Sequence, residues 1–249
     1  MEKFTSGASY LTDANRAIRL RLSNEDGVIK DLLLVKHVSG VETICGGIEY
    51  SLECVSAQAG IELKRFIACP AELQFVTDLG KMRTVCGIVG SIIEGQSDGG
   101  LGTYRLIVRD AFSLLEQTCN TRVFRQLSEI EITEILLREW MHSSPVVSAA
   151  FRFELRVLKT YPPREFTMQY NESTAAFLRR LWKRRGLGWF IKAGASDDKG
   201  AGSQVHTLVL FDSSDALEQN PAGAARYHRD HATEQRDSIT AWQAVRTLS

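Results

Sequence analysis

The first 110 residues alternate between short apolar runs of period two and clusters of turn residues, and this pattern restricts that half of the chain to an antiparallel β body. Ile18-Arg19-Leu20-Arg21-Leu22 alternates apolar with charged residues, as a strand with one wet face does. Asn24-Glu25-Asp26-Gly27 is a turn cluster, and 32–38 is a second apolar run. Ile48, Tyr50, Leu52 and Cys54 alternate with Glu49, Ser51 and Glu53. Runs at 73–77 and 83–93 flank Asp78-Leu79-Gly80-Lys81, which reads as a hairpin loop. Ser97-Asp98-Gly99-Gly100 is another turn, and 104–109 a further strand. Many short strands with Gly-rich turns predict a barrel or a sandwich.

After residue 110 the period changes. Residues 111–117 predict a short helix. Ser128-Glu129-Ile130-Glu131 fits a capping box, and Ile132, Ile135, Leu136 and Trp140 follow at helical spacing, with an end near Ser143 before Pro145. Phe151, Phe153, Leu155 and Val157 alternate with Arg152, Glu154 and Arg156, a strand closed by Pro162-Pro163. Asn171 or Ser173 can cap a second helix, whose apolar face is Ala176, Phe177, Leu181 and Trp182 and whose stop is Gly186. Two strands follow at 187–192 and 205–211, joined by a Gly-, Ser- and Asp-rich loop at 193–203 that reads as mobile; 238–245 can form one more strand.

No catalytic or ligand-binding constellation stands out. The chain carries no GxSxG elbow, no HExxH and no GxxxxGK[ST] loop. Gly99-Gly100-Leu101-Gly102 leads into a strand, so it reads as a turn and not as a phosphate cradle. His228-Arg229-Asp230-His231 holds two close histidines, but the polar context lacks a third ligand, and a solvated segment is the expectation. Arg179, Arg180, Lys183, Arg184 and Arg185 make one basic helix, readable as a solvated face favoured by the helix dipole or as a docking face for an acidic partner. Trp140, Trp182 and Trp189 are expected in the core. The five cysteines, Cys45, Cys54, Cys69, Cys86 and Cys119, are odd in number and widely spaced, which predicts neither a disulfide framework nor a zinc cluster. Equal counts of acidic and basic side chains give a formal net charge of zero, so no electrostatic footprint for nucleic acid is present. No apolar run reaches the roughly 20 residues that span a bilayer. Residues 1–20 have no signal-peptide layout, so the chain is expected to be made in a cytoplasm. The residues alone therefore give an α+β protein with no catalytic, cofactor-binding or metal-binding residues to name.

One block is more specific. Tyr161-Pro162-Pro163-Arg164-Glu165-Phe166-Thr167-Met168-Gln169-Tyr170-Asn171-Glu172-Ser173, then Phe177-Leu178-Arg179-Arg180-Leu181-Trp182 and Gly186-Leu187-Gly188-Trp189-Phe190, resembles the segment of VgrG spike and phage tail-hub proteins in which a Gln-Tyr-x-Glu-[Ser/Thr] run opens a helix. The flanks at 104–126 and 206–212, and the polar stretch from Tyr227 to Trp242, are similar to the neighbouring parts of that family. Lys183-Arg184-Arg185 stand where the family usually has acidic residues, and Ala111 or a neighbour where it has proline.

The resemblance implies a phage tail-hub (VgrG N-terminal) fold: a β-barrel-like tube domain at 1–109 followed by an α+β hub domain at 110–249. It implies a truncated version, without the second tube domain, OB-fold and β-helical needle. It further implies a mechanical, non-enzymatic role without a cofactor, in a type VI secretion spike or hub. The partners so implied are two further copies in a homotrimer, an Hcp-like tube protein, and effectors or adaptors, with neither nucleic acid nor stable membrane insertion. Export would run through the type VI apparatus without a signal peptide. A prophage tail baseplate hub (late control type) of the same fold is the near alternative, and an α+β enzyme with a dispersed site the remote one.

Overall fold

A computed structural model describes residues 16–24, 27–29, 32–58, 60–76, 82–97, 100–194, 204–219, 224, 226–227, 238–239 and 241–246. The Asp78–Lys81 loop, most of the 193–203 loop and the His228–His231 pair lie outside these residues.

Strands β1 (Ile18–Asn24), β2 (Gly27–Ile29), β3 (Leu34–Thr43), β4 (Gly47–Ser56), β5 (Pro70–Val76), β6 (Met82–Ser97) and β7 (Gly102–Arg109) form one sheet in the order β2-β1-β5-β6-β7-β4-β3. Every neighbouring pair is antiparallel. The alternation seen in sequence decides which face is wet. Ile48, Tyr50, Leu52 and Cys54 of β4 are buried, while Glu49 and Glu53 are exposed. On β7, Tyr104, Leu106 and Val108 are buried, and Thr103, Arg105 and Arg109 are exposed. Each large apolar side chain so buried is worth about 1.5–3 kcal/mol.

The sheet curls until its flanks approach. The Arg16 guanidinium donates to the Val35 carbonyl at 2.6 Å, and the Glu42 carboxylate accepts from the Tyr50 hydroxyl and from Arg83 of β6. Strand β4 lies beside β7 and strand β5 on the far side of β6, so residues 57–69 must cross over. This crossover carries a 3-10 turn at Leu63–Phe66 and drives Ile61 and Phe66 into the interior. Two ladder-like bonds, Ala68 N to Val89 O (2.8 Å) and Val89 N to Cys69 O (3.0 Å), tie it to β6.

The second half is built from β8 (Cys119–Phe124), α1 (Glu129–Ser143), α2 (Pro145–Ala150), β9 (Phe151–Arg156), β10 (Thr167–Ser173), α3 (Thr174–Arg185), β11 (Gly188–Ala193) and β12 (His206–Phe211). β11 and β12 are antiparallel, β12 and β9 parallel, and β8 with β10 makes a separate two-stranded ribbon. Helices α1, α2 and α3 pack on these strands around Phe112, Phe151, Phe177, Trp182 and Trp189. A short parallel pair, β13 (Arg226–Tyr227) with β14 (Ser238–Ile239), follows.

The capping box is present: Glu131 N donates to Ser128 Oγ, and Ser128 N donates to the Glu131 carboxylate. Four local expectations need adjustment. The element after Asp110 is a 3-10 helix, Ala111–Glu116. Pro145 does not only end a helix; it starts α2 from its first position, with Ser144 as N-cap, where the missing N–H costs nothing. Strand β6 runs on to Ser97, and the strand expected at 238–245 is confined to Ser238–Ile239, with 241–246 lacking regular structure.

Candidate functional site

The specific block of the sequence folds as one continuous unit. Asp212 fixes the approach to it by accepting from the N–H groups of Leu158 (3.0 Å) and Lys159 (2.8 Å) and from the Tyr161 hydroxyl (3.2 Å). Strand β10 then pairs with β8, Thr167 opposite Phe124 and Gln169 opposite Arg122, with a bulge before Glu172. At the bulge Asn171 takes a left-handed φ of 45° and its N–H donates to Thr121 Oγ1 at 3.1 Å. Gln169 is fully buried, and its amide donates to the Glu172 carbonyl (3.0 Å) and to Thr174 Oγ1 (3.3 Å). Ser173 caps α3 by accepting from Ala176 N at 3.1 Å. Gly186, at φ 69°, ends it, and Leu187 N reaches back to the Trp182 carbonyl at 2.9 Å.

The basic face of α3 divides in two. Arg179 pairs with Glu116 at 2.6 Å and lies over the rings of Phe112 and Trp189. Arg180 pairs with Glu172 and donates to the Met168 carbonyl. Arg185 pairs with Glu129 at 2.9 Å. These three cations hold the fold together. Lys183 and Arg184 are exposed and form no ion pair with the described residues, whereas Arg180, also exposed, is already paired with Glu172. Trp182 and Trp189 are buried, and Trp182 Nε1 donates to Thr133 Oγ1 at 2.9 Å. Trp140 is half-buried and meets the Phe151 ring edge-on.

Glu129 has no solvent exposure and stands between Arg185 and Arg164, the latter at 3.4 Å. Burial alone would push its carboxyl up, but hydrogen bonds and charge from Arg185, with Arg164 adding, outweigh burial and hold it below the ordinary carboxylate range. The pairing joins the start of α1, the 157–166 approach and the end of α3.

A second polar cluster lies where the two cores meet. Asp110 Oδ2 accepts from Ile48 N at 2.9 Å; burial pushes this carboxyl up while that bond pulls it down. Next to it, Ala111 N donates to Nε2 of His206 at 2.8 Å. His206 is fully buried, and burial drives its imidazole down to about 3, so the ring is neutral with its proton on Nδ1. Cys45 N donates to the Trp189 carbonyl at 2.8 Å, and the Ser23 hydroxyl meets Gln204. Gly47 approaches so closely that a Cβ there would sit 2.4 Å from Asp110 Oδ2. Neither Asp110 nor His206 was singled out by sequence reasoning, because one acid at a strand end and one histidine inside an apolar run carry no signal of their own.

Among the described residues no group of three or more His, Cys, Asp and Glu side chains could hold a metal. The five thiols are unbridged; Cys54, Cys69 and Cys86 are buried, Cys45 and Cys119 exposed. No helix is long and apolar enough to cross a membrane among the residues described.

A curled antiparallel sheet joined to a helix-covered α+β lobe is the architecture of phage tail hubs. Two solved structures show the likeness in fold. One is an E. coli protein, c3393, described as a component of the type VI secretion system with structural similarity to the T4 tail proteins gp27 and gp5; it superposes with a TM-score of 0.66 at 19% identity over 84% of this chain and 52% of its own. The other is the 43 kDa tail protein of a Shewanella oneidensis prophage, with a TM-score of 0.54 at 14% identity over 86% of this chain and 58% of its own. The family model of the phage tail baseplate hub (GPD) matches residues 41–249, and the chain belongs to that family. Among curated relatives, the type VI secretion system spike protein VgrG4b of Pseudomonas aeruginosa is 32% identical over 187 residues, covering 75% of this chain and 21% of the relative. VgrG3 of Vibrio cholerae is 28% identical over 200 residues, covering 77% and 18%. The chain thus spans about a fifth of the length of these relatives.

Proposed function

We propose that this chain is a structural hub component of a contractile injection machine of the type VI secretion kind, and that it performs no catalysis. The observation that carries the reading is the curled antiparallel sheet in a member of the baseplate hub family that is similar in sequence to type VI spike proteins. The sheet, proposed as a tube domain at 1–109, seats with its symmetry mates on a hexameric tube protein of the Hcp kind. The remainder, proposed as a hub domain at 110–249, braces it; the two hydrophobic cores meeting at Asp110 support this division. In the assembled machine three chains form the hub, effectors ride on the spike, and the protein leaves the cell with the apparatus.

The test is direct. The purified chain is titrated with the Hcp-like tube protein of the same genome and followed by light scattering and electron microscopy. Tube-end binding is expected; its absence at roughly 100 µM of each protein would remove the reading. Alone, the chain is expected to form weak or no rings at micromolar concentration. A prophage baseplate hub is the second reading, favoured by the likeness in fold to a prophage tail protein; an adjacent capsid operon would decide for it.

A further inference from the structure

Sheet and lobe touch along the outer side of strands β5 and β6, and the chemistry of that seam changes along its length. The ladder sets three rows on this side: Pro70 opposite Ile88, Glu72 opposite Cys86, and Gln74 opposite Thr84. The first row is apolar. Ile88 belongs to the core of the lobe and stands opposite Arg109 of β7, one residue from Asp110. The next two rows are polar, yet Glu72 is 3%, Gln74 5% and Cys86 1% exposed. Such groups on the outer side of a sheet ordinarily meet water. Here the end of the β11–β12 hairpin covers them: the backbone of Gly194 bonds the Cys86 sulfur, and the Ser23 hydroxyl meets Gln204.

The two ends of the seam are held differently. At the Asp110 end, Ile48 N donates to Asp110 Oδ2 at 2.9 Å and Cys45 N to the Trp189 carbonyl at 2.8 Å. At the far end Gln74 Nε2 donates to Glu72 Oε1, but Glu72 Oε2 and Gln74 Oε1 are buried without a hydrogen bond to any described residue. Arg21 stands 4.0 Å from Glu72 Oε2 and keeps half of its side chain in water. A buried acceptor that has lost its hydration and gained no donor is unfavourable. The bonds that cross the seam here are a half-buried hydroxyl and a sulfur, which is a weak acceptor. Packing is open nearby as well. A groove of about 580 Å³, lined by Ser23, Ile67, Pro70, Pro145, Val146 and Ala149 among others, parts α2 from the crossover.

We propose that this seam opens: the lobe pivots at Asp110 and lifts the β11–β12 hairpin end off β5 and β6, uncovering Glu72, Gln74 and Cys86 while the Ile48–Asp110 end stays closed. Asp110 is placed for a pivot, because it lies where the chain leaves β7 for the lobe and its carboxylate holds the sheet through Ile48. The moving body is already one piece. Gly194 N donates to the Val205 carbonyl and Thr207 Oγ1 to the Gly194 carbonyl, both at 2.7 Å, and His206 ties the hairpin to Ala111. Opening gives the two orphaned oxygens access to water, and it leaves the aromatic core of the lobe intact. The inference concerns the contact between the two halves of one chain, so it stands or falls independently of the hub reading.

Two equally buried thiols separate such an opening from unfolding. Cys86 lies in the seam and Cys54 inside the sheet on β4, each 1% exposed. Iodoacetamide attacks thiolates, and burial pushes the Cys86 thiol up to about 12, so Cys86 reacts from an opened state. The full chain is alkylated at urea concentrations below its unfolding transition, and each thiol is followed by peptide mass spectrometry. Without urea, Cys86 is expected to react about tenfold faster than Cys54 or more. Its rate should rise only slightly with urea, since little surface is uncovered. Amide exchange at Ile48 and along β6 is expected to stay slow. The double variant Glu72→Met, Gln74→Met removes the orphaned oxygens and is expected to slow Cys86 several-fold relative to Cys54. Equal rates with equal urea dependence would overturn the proposal, because only global unfolding would then expose Cys86. Fast exchange along β6 that keeps pace with Cys86 would overturn it too, since the sheet itself would be fraying, as would an unchanged rate ratio in the double variant. Should that variant fail to fold, the two thiols and the β6 amides of the unaltered chain decide.

Discussion

The curled sheet and the lobe that follows it are stabilised by different means. Inside the sheet the fill is mostly aliphatic, with Leu20, Leu52, Leu73, Val85, Leu106 and Val108 at its centre, and its ion pairs, such as Arg105–Glu53 and Arg109–Glu49, sit on the surface. Such surface pairs are worth about 0–1 kcal/mol. The lobe instead buries polar groups among aromatic rings: Glu129, Gln169, His206 and Thr133 are all fully buried beside Trp182, Trp189, Phe112 and Phe151. A comparable place among the described residues of the sheet is Glu72 and Gln74 on β5, which bond to each other at 2.7 Å. Sensitivity to single substitutions and to pH should therefore concentrate in the lobe.

Trp182→Ala would break the comparison most severely. The ring stacks on Phe112 and satisfies Thr133, and its loss is expected to cost about 3–5 kcal/mol in a denaturant titration. If the sheet unfolds at the same denaturant concentration as the lobe in this variant, the two cores form one cooperative unit. Glu129→Gln comes next. It leaves Arg164 and Arg185 facing a neutral amide, and because both guanidinium groups keep some access to water the expected cost is about 2–3 kcal/mol. Since the Glu129 carboxyl is held below its ordinary range when folded, its contribution is present above the unfolded value near 4.5 and is lost as pH falls through the lower folded value. The variant should lose that acid-dependent part of the melting curve.

His206 gives a smaller, separable effect. Its imidazole titrates near 6.5 in the unfolded chain and near 3 when folded, so between these values the unfolded chain binds more protons. Stability is then full above pH 6.5 and falls as pH drops, by about 2 kcal/mol at pH 5. His206→Leu should flatten this slope in melts between pH 5 and 7, at a constant cost of about 1–2 kcal/mol for the orphaned Ala111 N–H. Smallest is Gly186→Ala, about 1 kcal/mol from the left-handed φ alone, since a Cβ at that position meets nothing within 4 Å.

How far each region could be read in advance follows the same division. Strands whose outer face is wet announced themselves, as Glu49, Ser51 and Glu53 did between the apolar residues of β4. Caps were legible because Ser128 with Glu131, and Ser173 with Gly186, are local chemistry. Strand β8 was not, because Cys119-Asn120-Thr121-Arg122 shows no alternation and its pairing partner lies some 50 residues away in sequence. The parallel pairing of β9 with β12 is equally non-local. Helix α2 was hidden because Pro145 reads as a stop when viewed from α1 and as a start only when Ser144 is seen as a cap. The arginines of α3 looked like one charged face, and only tertiary contacts reveal that Arg179, Arg180 and Arg185 are spent internally.

The crossover at 57–69 has a consequence for any assembly. Among the described residues, Ile61 and Phe66 insert into the interior of the curled sheet, and side chains fill its centre. A conduit along a ring of such chains would have to open between neighbours, so its bore would be set by how many copies gather and at what tilt.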